Sequence, residues 1–182
     1  MKAVIMAGGL GTRLRPLTCN VPKPMVPVIN RPILEHTISL LHKHEITDMT
    51  LLLFHLPDYI KEHFGDGSKH GVNISYITPD SDYGTAGAVK QAAEWIHDTC
   101  LVVSGDAITD LNISQFVRLH HENKALISLA LSQVGNPSPF GIAITDKKGR
   151  VRRFLEKPSW GQIFSDTVNM GIYVIEPEAL DF

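Results

Sequence analysis

Cysteine is scarce: Cys19 and Cys100 are the only two in 182 residues. They lie far apart and without metal-type spacing, which excludes a disulfide scaffold and a thiolate knuckle and fits a reducing compartment. No apolar run approaches the roughly 18 residues a membrane-spanning helix needs. The opening apolar run, residues 3–7, stops at Gly8-Gly9, too soon for the core of a secretion signal. The expectation is a cytoplasmic protein without a membrane partner. Excess charge is also missing, with 17 basic against 19 acidic residues and a net −2. Bulk attraction to nucleic acid or anionic lipid is thereby excluded, and any anion must be held by local basic groups. No His-x-x-x-His pair occurs. His42 with His44, and His120 with His121, do not share a helix face, so the nine histidines read as structural.

What is present is an ordinary globular composition, 43% hydrophobic and 20% charged. Residues 1–182 are expected to form one domain, since no repeat, linker or low-complexity tract divides them. The last residues, "EPEALDF", read as the first turn of a helix cut short, so the domain is expected to be truncated at its C-terminus. Short apolar runs at 3–6, 49–54, 72–77 and 100–104 read as buried strands. Helical patterns at 33–44, 57–64, 86–96 and 112–121 alternate with them, the last capped by Asn112 or Ser114. That alternation implies βαβ units. After Lys124 the runs "ALISLAL", "FGIAIT", "RVRRFLE" and "VNMGIYVI" read as strands separated by turn signals such as "GNPSP" and "DKKG". The predicted fold class is α/β: a Rossmann-like mixed, mainly parallel sheet flanked by helices.

The stretch "AGGLGTRLRPLT", from Ala7 to Thr18, follows the first strand, where open α/β sheets hold ligands. Gly8, Gly9 and Gly11 allow backbone angles and close approaches that a side chain would block. Successive N–H groups there form a concavity for anionic oxygens, and Arg13 adds a planar fork of donors. A Walker loop is excluded because Thr12-Arg13, not Lys-Ser/Thr, follows Gly11. A dinucleotide fingerprint is excluded because Leu14 stands where its third glycine belongs, and Pro16 blocks an immediate long helix. In "NVPKPMVPVINRP", residues 20–32, prolines predict a stiff extended segment holding Lys23 as a point charge. Taken alone, the first stretch reads as a phosphate loop in preference to a plain glycine-rich turn, and the second is equally a rigid surface connection.

Together, "GGLGTRLRPLT" and "PKPM" closely resemble the signature of the sugar-phosphate nucleotidylyltransferases. The resemblance continues through "YGTAGAVKQA", "VVSGDAITD", "FGIAI", "FLEKP" and "NMGIYV", so it covers essentially the whole chain. Within the family, "PKPMVPVINRPILEH" and "FLEKPSWGQIFSDTVNMGIYV" most resemble mannose-1-phosphate guanylyltransferases. Among these are bacterial forms in which the domain precedes a phosphomannomutase-like one. Met170 departs from the small or hydroxylated residue expected there.

The resemblance implies the nucleotide-diphospho-sugar transferase fold and a reaction. A nucleoside triphosphate, GTP in the guanylyltransferases, and a sugar 1-phosphate, there mannose 1-phosphate, give a nucleotide sugar and pyrophosphate. Such a displacement depends on position and charge neutralisation, not on a covalent nucleophile. Residues Ala7 to Thr12 and Arg13 would hold the triphosphate, and Lys23 would bridge the reacting phosphates. Asp106 ends the strand "CLVVSGD" and would bind Mg²⁺, which favours one or two carboxylates plus phosphate oxygens. A second metal-binding aspartate is implied beyond Phe182. Asp110 reads as a helix cap in preference to a residue that supports the site. Gly84 and Thr85 would meet the base, and Gly141, Glu156, Lys157 and Asn169 the sugar phosphate. By themselves Asp106 reads equally as a metal ligand or a turn aspartate, and Glu156-Lys157 reads as an exposed charge pair. Three alternatives stand beside this: a uridylyl-, thymidylyl- or adenylyltransferase acting on glucose 1-phosphate, a catalytically silent regulatory relative, and a dinucleotide oxidoreductase, which the missing third glycine disfavours. Oligomeric state, a homo-oligomer included, is not fixed by these features.

Overall fold

The computed structural model describes residues 1–81 and 84–182. In chain order the strands and α-helices are β1 (Lys2–Met6), β2 (Pro27–Val28), β3 (Arg31–Pro32), α1 (Ile33–Lys43), β4 (Asp48–Leu52), α2 (Pro57–Phe64), β5 (Asn73–Ile77), α3 (Gly84–Lys90), β6 (Cys100–Ser104), α4 (Ile113–Asn123), β7 (Ile127–Gln133), β8 (Gly141–Thr145), β9 (Val151–Glu156) and β10 (Thr167–Ile175). The chain divides into two compact units. One is Met1–Ser128 with Tyr173–Phe182, and the other is Leu129–Ile172.

In the first unit the strands β5, β4, β1 and β6 lie side by side in that order, all parallel. β1 sits between two partners, with Ala3 opposite both Met49 and Leu101. A strand paired on both edges and covered on both faces must be apolar throughout, and Ala3, Val4 and Ile5 are buried. The chain runs β1, β4, β5 in one direction and then returns to place β6 on the other side of β1. Strand order therefore reverses between β1 and β6, and the loops at their carboxyl ends open a crevice where ligands of such sheets bind.

The helices bury one face each. α1 turns Ile33, Leu34, Thr37, Ile38 and Leu41 inward, the spacing of a single helical stripe. α2 starts at Pro57, whose missing N–H costs nothing at the first helical position, and buries Ile60 and Phe64. α4 is capped by Asn112, whose side chain accepts from the Gln115 N–H. Asp110 is therefore not the cap, contrary to expectation. Val4, Leu52, Val89, Ala92, Ile96, Cys100, Val102 and Ile175 form one core cluster, against which Ala179 and Leu180 pack.

Three boundaries differ from the pattern-based ones. The helix expected at 86–96 begins at Gly84 and gives way after Lys90, because Ala92 N–H bonds to the Val89 carbonyl in a tighter turn that leads into the 3₁₀ segment Ala93–Trp95. The strand expected from Ala125 starts at Ile127, because the N–H groups of Lys124 and Ala125 cap the carbonyls of α4. The proline-rich segment is not simply extended. Lys23–Met25 is a 3₁₀ turn with Pro24 and Met25 buried, and β2 pairs with β3 in a short antiparallel ladder. Pre-set φ angles suit such a turn as well as an extended run. "EPEALDF" does form a turn, the 3₁₀ segment Pro177–Asp181.

The second unit is antiparallel. β8 and β9 form a hairpin, and Ile142 of β8 faces Val168 of β10. Its turn is held by Asp146, which accepts from the N–H groups of Lys148 and Arg150 and from the Arg152 guanidinium. Parallel strands in one unit and antiparallel ones in the other give the mixed, mainly parallel sheet with flanking helices that was expected.

Candidate active site

Chemistry-bearing groups of the first unit gather where strand order reverses. β6 ends at Ser104. Gly105 N–H then donates to the Met6 carbonyl at 2.8 Å, locking the turn after β6 to the end of β1. That turn presents Asp106. Thr37, buried on α1, donates to the Ala107 carbonyl at 3.2 Å and holds the same turn from below. Lys23, from 83 residues earlier, points its ammonium group onto Asp106 Oδ2. Ser104 Oγ donates to the other carboxylate oxygen at 2.5 Å.

The Asp106 carboxyl is under opposing influences. Burial pushes its pKa up, but hydrogen bonds from Lys23 and Ser104, with the Lys23 charge, outweigh this and hold it below the ordinary aspartate value. Asp106 is thus an ionised, half-buried carboxylate facing a positive charge. Lys23 occupies a position that a divalent cation could share, so the donor set fits Mg²⁺: one carboxylate now, phosphate oxygens from a ligand later.

The glycine-rich loop lies beside this pair. Gly11 has φ +61, in the left-handed region, and a Cβ there would come 2.8 Å from Lys23 Cβ and 2.9 Å from Thr18 Cγ2. Its bareness lets the lysine stem pass. Thr18 is buried, and its hydroxyl donates to the Gly11 carbonyl at 2.8 Å, fixing the loop from inside. Gly8 is close to Phe54, whereas Gly9 has open space where its side chain would be. Thr12–Leu14 is a 3₁₀ turn with Arg13 exposed on it. Among the described residues no carboxylate pairs with Arg13, so its guanidinium is available to an anion. Ala7 is buried, its N–H bonded to the Leu52 carbonyl at 2.9 Å.

The other expected residues fall in two groups. Gly84 and Thr85 open α3, with Gly84 at φ +65 and Thr85 exposed. Tyr83, which begins the "YGTAGAVKQA" stretch, lies outside the described residues. In the second unit, Gly141 and Glu156 are cross-strand partners. A Cβ on Gly141 would meet Glu156 Oε2 and Phe154 Cζ at 2.6 Å, so the glycine makes room for the carboxylate. Lys157 N–H donates to the Phe140 carbonyl at 3.0 Å, and its backbone is left-handed at φ 43. Its ammonium lies 3.7 Å from Glu156 Oε1, both side chains being well exposed. Asn169, on β10, accepts from the Gly171 N–H at 3.0 Å.

Sequence reasoning missed Ser104, Thr18 and Thr37. The hydroxyl two residues before Asp106 was a local signal for the first. Thr37 gave none, because only the fold brings α1 under the turn after β6.

By fold and loop placement this is a Rossmann-like α/β protein whose polar groups converge at the switch point of a parallel sheet. The family model for Nucleotidyl transferase matches residues 2–182, and the chain belongs to that family. It is 36% identical over 196 residues to a UTP–glucose-1-phosphate uridylyltransferase of Synechocystis, covering 100% of this chain and 50% of the relative. It is 38% identical over 180 residues to a mannose-1-phosphate guanylyltransferase of Mycobacterium tuberculosis, covering 98% of this chain and 50% of the relative. A Bacillus anthracis structure described as a glucose-1-phosphate thymidylyltransferase superposes with a TM-score of 0.90 at 28% identity, covering 100% of this chain and 73% of that one. The chain spans about half the length of the curated relatives it matches.

Proposed function

We propose that this chain binds a nucleoside triphosphate and a sugar 1-phosphate and takes part in joining them into a nucleotide sugar with release of pyrophosphate. The observation that carries this is the ionised Asp106 carboxylate facing Lys23 beside a glycine-rich loop, at the point where strand order reverses. Glycine-loop N–H groups from Gly8 to Thr12, with the exposed Arg13 guanidinium, would grip the triphosphate. Asp106 would hold Mg²⁺, which supplies neutralisation of charge on the phosphate oxygens. Lys23 is a strong, mobile point charge that can serve either its carboxylate or a phosphate. Gly84 and Thr85 would lie against the base, and Gly141, Glu156, Lys157 and Asn169 against the sugar phosphate.

GTP and mannose 1-phosphate are the favoured pair, supported by the resemblance of the 22–36 and 154–174 stretches and by the Mycobacterium relative. UTP with glucose 1-phosphate is the second pair, favoured by the Synechocystis relative. The test measures magnesium-dependent pyrophosphate release with each triphosphate and each sugar phosphate, alongside calorimetric binding of each triphosphate. Release above background only with GTP and mannose 1-phosphate is the expected result. Faster turnover with UTP and glucose 1-phosphate selects the second pair. Neither release nor magnesium-dependent binding with any triphosphate overturns the proposal.

A further inference from the structure

At the opposite end of β6 a second group of ligating side chains meets, and nothing in the proposed chemistry uses it. We infer that His120, His121 and Glu176 form a binding site for a borderline transition-metal cation of the zinc type. Among the described residues these three side chains offer ligand atoms that all lie within 4.8 Å of one another.

The donor set is the first reason. Two imidazoles and one carboxylate suit Zn²⁺, Co²⁺ or Ni²⁺, whereas Mg²⁺ prefers oxygen ligands and retained water. The site is thus chemically distinct from the Asp106 carboxylate. Three protein ligands leave one tetrahedral position to water, and the exposed His121 gives the cation a way in.

Orientation is the second reason. His120 is buried and holds both ring nitrogens at 2.9 Å from a partner: Nε2 to Glu176 Oε1, and Nδ1 to Ser128 Oγ. Metal at Nε2 requires the ring proton at Nδ1, and Ser128 Oγ is already placed to accept it, the usual arrangement behind a ligating histidine. The Glu176 carboxylate is aimed by Thr99, whose hydroxyl lies 2.9 and 3.0 Å from its two oxygens. Both histidines belong to the last turn of α4, where the helix dipole favours positive charge.

Distances are the third. Ligands about 2.0–2.1 Å from a tetrahedral zinc stand roughly 3.3 Å from one another. His120 Nε2 and Glu176 Oε1 are already at 2.9 Å, so a cation would part them slightly in place of the shared proton. The remaining closure falls to the His121 ring, an exposed side chain free to turn. Bound metal would tie the last turn of α4 to the residue that follows β10.

The test titrates chelator-treated protein with Zn²⁺ by calorimetry and with Co²⁺ by visible absorbance. One equivalent is expected, with the intensified cobalt spectrum of a four-coordinate site. His121→Ala keeps the His120–Glu176 hydrogen bond and so the fold, and it should weaken zinc binding at least 10-fold. Glu176→Gln should do the same, while Asp106→Asn changes nothing. Zinc should also raise the melting temperature of the unsubstituted protein and not that of His121→Ala. Absence of stoichiometric binding, binding unchanged by His121→Ala, or binding lost in Asp106→Asn overturns the site.

Discussion

The two ends of β6 carry the same three kinds of group in different settings. At its carboxyl end Asp106 meets an ammonium from Lys23 and a hydroxyl from Ser104. At its amino end Glu176 meets an imidazole from His120 and a hydroxyl from Thr99. Both carboxyls feel burial pushing their pKa up, and both are held below their ordinary values by those partners. What differs is the freedom of the base. Lys23 is a third exposed, its long stem rising from a 3₁₀ turn, and has no second anchor among the described residues. His120 is 1% exposed and is pinned on its far side by Ser128. An exchangeable cation at one end suits phosphate chemistry; a fixed ring at the other suits a preset ligating position. Cys100, which opens β6, is an unreactive thiol, burial pushing it up to about 12.

Removing the carboxylate at the exchangeable end gives the largest expected effect. Asp106→Asn should lower the rate of pyrophosphate release about 10²–10³-fold, the scale for losing one preorganised electrostatic group, with little change in melting temperature. Equal loss of stability would make Asp106 a structural residue. At the fixed end the outcome reverses. His120→Ala leaves a void and strips two hydrogen-bonding groups of their partner, costing about 2–3 kcal/mol of stability by denaturant unfolding.

A finer contrast lies within the glycine loop. Gly11→Ala forces φ +61 on a residue with a Cβ and pushes it into Lys23 and Thr18, so it should cost about 1–2 kcal/mol and disturb Lys23. Gly9→Ala meets nothing, so its stability should change by less than about 1 kcal/mol. Any loss of triphosphate affinity in Gly9→Ala is then a ligand contact and not a folding defect. The smallest effect is in pH dependence. Glu176 has a lowered folded pKa, so its contribution is present above the ordinary glutamate value of about 4.3 and is lost as pH falls through the lower folded value. Melting temperature should therefore drop less steeply from pH 5 to pH 3 in Glu176→Gln than in the unsubstituted protein.

Local signals carried the loop and helix readings where chemistry and backbone agreed. Gly11 is a glycine because of its left-handed φ and the passage of Lys23, and its place after an apolar run marked it without a structure. A cap before this helix was legible, but short polar residues at 110, 112 and 114 all offered one, and only the structure shows Asn112 serving it. Lys23 was legible as a fixed charge, but the 3₁₀ turn that aims it was not, since prolines serve turns and extended chain alike. Spacing read the histidines as structural, which the buried, doubly hydrogen-bonded His120 fits, but it did not show what His120 meets. The partner Glu176 lies 56 residues from His120, and no periodicity spans that distance.

The order of apolar runs, the glycine turn and the motif blocks, all local in the chain, determined the fold class and the family. Only the tertiary structure decided which groups meet: Lys23 on Asp106, Thr37 under the turn that presents it, and His120 against Glu176. The physical reason is that propensity and pattern act over a few residues, whereas an ion pair across 83 positions is set by where the sheet places its strand ends.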